Sequence, residues 1–326
     1  MTHVSAILVS LCLLMLSGCA QHSGLSIEIA KNAEEVIIFT GENDSFNSIA
    51  KRYLGNSDLK WRIQDHNDIN TYQPGLYLSI PLARKTHFGF YDDYEQQVPI
   101  LVYHNFGRVN TATTITADKF KQQLLYLVNN NFRVISLKQY FQHIQLGQQI
   151  PKRAVIITID DGYRATYSIA FPILKALNLP ATVFIYSDYI SNGGLSKKQL
   201  NIMQASALID VQPHSKTHRN FNRLHKAETQ QAYLDSIDEE VEVSTQKVAK
   251  TLNSILSPRF FAYPYGEVNP VVTDKLTSEG FDLAFTVVGQ SNKAYNAPLL
   301  LKRYQIFGNH SFEKFQQIIE SNKDFH

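Results

Sequence analysis

From Pro99 to Phe307 the chain alternates short apolar runs with longer stretches of helical period. The apolar runs are Pro99 to His104, Phe132 to Leu137, Ala154 to Ile159, Ala181 to Tyr186, Leu208 to Gln212, Phe260 to Tyr263, Leu283 to Val287 and Lys302 to Phe307. Between them, helical patterns follow Thr116, run from Leu137 to Leu146, and cover 164–177, 196–205 and 226–252. Such alternation predicts a parallel sheet flanked by helices. Seven or eight strand–helix units close more naturally as a barrel than as an open sheet. The expected class is therefore α/β, a distorted (β/α) barrel of seven or eight strands with its chemistry at their carboxyl ends. A chain of 326 residues has room for this and for a second, smaller domain.

Three strand ends carry reactive residue types. The run Ala154 to Ile159 closes on Asp160-Asp161-Gly162. Two adjacent carboxylates at the end of a buried strand repel, and they coexist at neutral pH when a cation or proton lies between them. On this stretch alone, an ordinary Asp-Gly turn explains the pattern equally well. The run Leu208 to Gln212 leads into Pro213-His214-Ser215-Lys216-Thr217-His218. Two histidines four apart can point the same way on a helical turn and grip one cation, with a carboxylate from another strand completing the site. The third end is Phe260-Phe261-Ala262-Tyr263-Pro264-Tyr265-Gly266, whose turn offers a backbone N–H as an oxyanion donor.

With these stretches in order on successive strand ends, residues 99 to 315 resemble the polysaccharide deacetylases of carbohydrate esterase family four. The resemblance implies a divalent metal, usually zinc, on Asp161, His214 and His218, with Asp160 as catalytic base and the Tyr265 N–H in the oxyanion site. Two departures stand out. The family's arginine before the Pro-Tyr turn is replaced by Ala262, and Arg259 falls on the opposite face of the strand. Arg303 on the last strand could orient the base instead, or could form a surface salt bridge. The family's late histidine, which protonates the leaving amine, is missing from Leu301 to Ile306. His104 is the preferred substitute, because the Tyr103-His104 pair resembles the branch that deacetylates poly-N-acetylglucosamine; His310 is the weaker one. The stretch Asp188 to Gln204 is expected to wall the groove, with a mobile turn at Asn192-Gly193-Gly194.

Ahead of this domain, Val36 to Phe39 reads as a strand, Ser45 as the cap of a helix through Tyr53, Leu59 to Ile63 as a second helix, and Tyr77 to Pro81 as a returning strand. The Ser48 to Gly55 run, Trp61-Arg62-Ile63, Asn67, Gln73-Pro74-Gly75 and Leu78 to Pro81 resemble a LysM module, which implies binding to N-acetylglucosamine-containing glycan. Its turn, Gly41 to Phe46, is one residue longer than the usual one.

Residues Ala6 to Leu16 are apolar but too few to span a bilayer, and Leu16-Ser17-Gly18-Cys19 follows at once. This resembles a bacterial lipobox, and implies a lipid anchor on Cys19 and a place in the cell envelope, on the periplasmic face of the outer membrane in a Gram-negative cell. Met1 to Ser5 lacks the expected Lys or Arg. Cys12 would leave with the signal, so no disulfide framework is possible. The expected domains are a signal peptide over 1–18, a tether over 19–35, the LysM module over 36–82, a linker over 83–98 and the deacetylase domain over 99–326.

A net charge of +2 with scattered basic residues asks for no nucleic acid, and no protein partner is evident. The expected function is metal-dependent removal of acetyl groups from an N-acetylated polysaccharide. The alternatives are a glycan-binding lipoprotein with a degenerate barrel and an O-acetyl esterase.

Overall fold

The computed structural model describes residues 24–82, 96–225, 227–255 and 257–320. The expected signal peptide, Cys19 and most of the linker lie outside these residues. The chain divides into two compact units between Ala83 and Arg84.

In the first unit, strands β1 (Ile27–Lys31), β2 (Glu35–Phe39) and β3 (Tyr77–Pro81) form an antiparallel sheet in that order. Helices α1 (Phe46–Leu54) and α2 (Lys60–His66) lie between β2 and β3 in the chain. Ser45 and Ser48 cap α1 reciprocally, and Gly55 ends it in the left-handed conformation. Val36, Ile38, Phe46, Ile49, Ile63, Leu78 and Ile80 make the unit's core. The tether expected over 19–35 is corrected here, because it contains β1. That strand buries neither face, so its side chains carry no pattern that separates it from a tether. Backbone pairing to β2 holds it, helped by the Ser26 N–H donating to Asp44 and the Gly41 N–H donating to Ser26.

The second unit is built on parallel strands β4 (Ile100–Tyr103), β5 (Arg133–Val134), β6 (Ala154–Ile159), β7 (Ala181–Ile185), β8 (Ile209–Pro213), β9 (Phe260–Ala262), β10 (Leu283–Phe285) and β11 (Tyr304–Gln305). One sheet runs β8-β7-β6-β4-β11, with β5 paired to the start of β6, while β9 and β10 pair separately. Helices α3 (Ala117–Asn129), α4 (Leu137–Leu146), α5 (Phe171–Leu177), α6 (Lys197–Ala205), α7 (Gln230–Thr251), α8 (Pro270–Ser278) and α9 (Phe312–Glu320) connect and flank them. The single helix expected over 164–177 contains a wider π turn near its start, Thr166–Ala170. Pro172 has no N–H to continue the ordinary ladder, and the Phe171 N–H donates to Thr166 instead.

β4, β6 and β7 are buried on both faces, as strands covered by helices must be. Strand parity sorts their side chains. Leu101, Tyr103, Val155, Ile157, Ile159, Val183 and Ile185 join the core that includes Phe120, Leu124 and Leu174 of the helices. Ile100, Ala154, Ile156, Phe184, Ala262 and Phe285 join one another inside the ring of strands.

The expected closed barrel is corrected: hydrogen bonds do not close the ring. On one side the sheet reaches β10 through a single bridge, Phe285 to Leu301. Between β8 and β9 side chains replace the ladder. The Gln212 side-chain Oε1 accepts from the N–H groups of Arg259 and Phe260 at 3.2 and 3.1 Å, and His214 Nδ1 meets the Ala262 carbonyl at 2.7 Å. The seam stays open because polar side chains occupy the backbone groups that a ladder would use.

Candidate metal centre

The alternation along β6 continues past its end. Ala154 and Ile156 face inward, so Thr158 and Asp160 do as well. The Asp160 N–H donates to the Tyr103 carbonyl at 2.9 Å, which sets His104 beside the carboxylate. Asp161 then takes φ +72°, and Gly162 follows at φ +76°. A Cβ on Gly162 would lie 2.5 Å from Ile185 Cγ1, so both the backbone conformation and the close approach require glycine. This reversal turns the Asp161 carboxylate to the same cavity as Asp160 rather than to the opposite face.

His214 and His218 do not sit on a helical turn as expected. They lie on a loop in which Ser215 (φ +71°) and His218 (φ +67°) are both left-handed, with the His218 N–H donating to Ser215 Oγ at 2.9 Å. The two rings stand 4.9 Å apart. Tyr265, at φ +60°, places its ring 4.6 Å from that of His218. Uncommon backbone conformations thus gather at Asp161, Ser215, His218 and Tyr265, as they do where a site rather than the fold dictates geometry.

Asp161, His214 and His218 offer ligand atoms within 4.8 Å of one another. Asp161 Oδ1 lies 3.6 Å from His214 Nε2 and 3.3 Å from His218 Nε2. The Ala262 carbonyl can only accept, so His214 Nδ1 carries the proton and Nε2 presents a lone pair. Burial pushes the His214 pKa down to about 4, against the pull of Asp160, so the ring is neutral at pH 7. Burial alone would raise the Asp161 carboxyl, but His218 and His214 hold it below its ordinary value. Its Oδ1 is buried and accepts no hydrogen bond among the described residues. A carboxylate oxygen and an imidazole lone pair facing each other repel unless a cation lies between. The donor set therefore fits a divalent ion with nitrogen and oxygen ligands and open positions.

Arg303 is fully buried and donates to both Asp160 oxygens at 2.8 and 2.7 Å, to Thr158 Oγ1 at 3.1 Å and to the Thr286 carbonyl at 3.0 Å. Burial alone would raise the Asp160 carboxyl, yet Arg303 brings its pKa down to about 2. Of the sequence candidates, the structure brings together Asp160, Asp161, His214, His218 and Arg303, with His104 and Tyr265 at the rim. Arg259 instead pairs with Asp282, and His310 packs on Phe307 outside the cluster. An open cleft of about 780 Å³ starts at His218 and Tyr265 and runs past Asn220, Arg223 and Leu224.

Sequence reasoning missed Glu240. On α7 it looks like one more polar helix position, yet it is buried and accepts from the N–H groups of Lys216 and Thr217 at 2.9 and 2.8 Å and from the Thr217 hydroxyl. It fixes the loop between the two histidines. Glu240→Ala is expected to weaken the affinity of this site for a divalent ion roughly 10–100-fold, as loss of an outer support for ligands does. A competition titration against a chelator measures this, and an affinity equal to the parent's would show that the loop holds itself.

Residues 147–284 match the polysaccharide deacetylase family model. A poly-β-1,6-N-acetyl-D-glucosamine N-deacetylase of Staphylococcus epidermidis is 31% identical over 182 residues, which span 53% of this chain and 61% of that protein. The Staphylococcus aureus protein of the same name is 26% identical over 223 residues, covering 65% of this chain and 73% of its own length. In fold, the chain is similar to IcaB from Ammonifex degensii, with a TM-score of 0.62 and 24% identity over 70% of this chain and 97% of that one.

Proposed function

We propose that this chain, which carries a polysaccharide deacetylase domain, is a metal-dependent hydrolase that removes N-acetyl groups from poly-β-1,6-N-acetylglucosamine. The observation that carries the reading is the buried Asp160–Arg303 pair set against Asp161, His214 and His218. A carboxylate held ionised beside a three-donor ion site suits hydrolysis of an amide and has no evident structural need.

A divalent ion, zinc in the resembling family, on Asp161, His214 and His218 would polarise the acetamide carbonyl and acidify the attacking water, which suits a base as weak as Asp160. Asp160 takes the proton from that water, and Arg303 keeps it ionised and aimed. The N–H of Tyr265, on its left-handed turn, donates to the oxyanion that develops. His104 gives a proton to the departing sugar amine. It lies close enough to bear on the charge of both Asp160 and Asp161. The cleft beyond His218 accommodates neighbouring sugars of the polymer.

The N-terminal unit acts as a LysM glycan-binding module. It raises the local substrate concentration without chemistry of its own. Lipidation at Cys19 anchors the protein to the envelope membrane, and in a Gram-negative cell to the periplasmic face of the outer membrane.

The test is acetate release from poly-β-1,6-N-acetylglucosamine, chitin oligomers, peptidoglycan and an O-acetyl ester. We expect release from the first, lost on chelation and restored by Zn²⁺. Cleavage of the ester alone would make the protein an O-acetyl esterase. Glycan binding without release from any substrate would make it a binding lipoprotein.

A further inference from the structure

The segment from Tyr186 to Leu195 has no role in the chemistry above, yet it is built tightly around it. Its first residues bond to the histidine loop, with the Ser187 and Asp188 N–H groups donating to the Ser215 and Lys216 carbonyls, both at 2.9 Å. Its far end bonds to the carboxylate turn, with the Leu195 N–H donating to the Gly162 carbonyl at 2.9 Å. The stretch therefore spans the two loops that bear the candidate ligands. The turn expected to be mobile is hydrogen-bonded at both ends: the Asn192 and Gly194 N–H groups both donate to the Tyr189 carbonyl at 3.0 Å, and Arg164 Nε donates to the Gly194 carbonyl at 3.1 Å.

What this framework holds is an aromatic pair. The rings of Tyr186 and Tyr189 stack 4.8 Å apart at 9°. Gly193 and Gly194 press on Tyr189: a Cβ on either would come within 2.5 Å of its ring, and Gly193 stands at φ +97°. Tyr163 meets Tyr189 edge-on at 5.9 Å, and Tyr186 reaches the His218 ring at 5.5 Å. Both stacked tyrosines are only part-buried, and their hydroxyls make no hydrogen bond with any described residue. Locked phenols with free hydroxyls offer contact area and hydrogen bonds at little cost in side-chain entropy.

We propose that Tyr186 and Tyr189 form a preorganised wall that docks one N-acetylhexosamine ring and aims its acetamide at the metal centre. The inference rests on the deacetylase reading, to which it adds positioning residues. Ring edges and faces contact the apolar side of the sugar, and the two hydroxyls bond to its polar rim.

The test compares wild-type protein with Tyr189→Ala and Tyr189→Phe on a β-1,6-linked N-acetylglucosamine pentasaccharide and on an aryl acetate that carries no sugar. In Tyr189→Ala, the ratio of kcat/KM for the pentasaccharide to that for the aryl acetate is expected to fall about tenfold, the effect of losing one well-packed contact residue. Tyr189→Phe should recover most of it. Calorimetry of the pentasaccharide on Asp160→Asn protein, with and without Tyr189→Ala, should show the same loss in affinity at equal zinc content. An unaltered ratio in Tyr189→Ala, or an equal fall on both substrates, would overturn the wall while leaving the deacetylase reading intact. Absence of acetate release from any glycan by the wild type, together with no pentasaccharide binding, would instead remove the substrate and the wall with it.

Discussion

Asp160→Asn is expected to lower acetate release by about 10²–10⁴-fold, the range spanned by loss of a positioned general base. Asparagine matches aspartate in shape, so the cavity stays filled, but its amide cannot take a proton from water at neutral pH. The ion site should survive, because Asp160 does not belong to the cluster formed by Asp161, His214 and His218. Its carboxylate lies 3.9 Å from His214 Nε2. Asparagine also turns an NH2 group toward the Arg303 guanidinium, which now donates to both Asp160 oxygens, so a modest loss of stability should accompany the loss of rate. Turnover, zinc content and thermal melting, measured on one preparation, separate these effects. A variant with full zinc and near-parental turnover would move the base elsewhere in the site.

Arg303→Met should be the most destabilising single change in the site. Arg303 is wholly buried against the rings of Phe184 and Phe285, and Asp160 is buried beside it. Methionine fills much of the volume but leaves a buried carboxylate without its cation, which costs about 3–5 kcal/mol. Chemical denaturation of metal-free protein gives the value. Adding Asp160→Asn should recover part of the loss, since it removes the stranded charge. A double variant no more stable than Arg303→Met would mean that packing, not charge, sets the cost.

The pH dependence should change sign with it. In the wild type Asp160 is held at about 2, below its ordinary value of 3.8. Its contribution to stability is therefore complete above pH 4 and lost as pH falls toward 2, amounting to about 2 kcal/mol. Without Arg303, burial is the dominant influence and the folded-state pKa rises above the unfolded one. Stability is then greatest at low pH and declines as pH rises past 4. Melting temperatures of the two proteins between pH 3 and 7 should show opposite slopes.

Much of the site could be read from the chain because its parts are local. Asp160 and Asp161 are adjacent at the end of an apolar run, and His214 and His218 fall within five residues of each other. Pattern and composition reveal such groups because the backbone keeps near neighbours together. The partners that arrive from far along the chain were less visible. Arg303 meets Asp160 across 143 positions, and in the sequence it is equally readable as a surface cation. Glu240 reaches the histidine loop from 23 and 24 positions away on a helix whose periodicity reports only its apolar face.

The sequence by itself determined the alternation of strand and helix, the parallel sheet and the order of the three reactive strand ends, because each depends on side-chain period and on turn chemistry within a few residues. Tertiary structure alone decided four things. The ring of strands stays open between β8 and β9, because Gln212 and His214 take the backbone groups there. Residues 27–31 join a sheet through backbone bonds that no side-chain pattern announces. The glycine turn at 193–194 packs against Tyr189, a contact made through space rather than by turn chemistry. Asp160 is a buried anion because Arg303 folds in beside it, and a carboxylate's charge in the interior depends on which distant group desolvates with it.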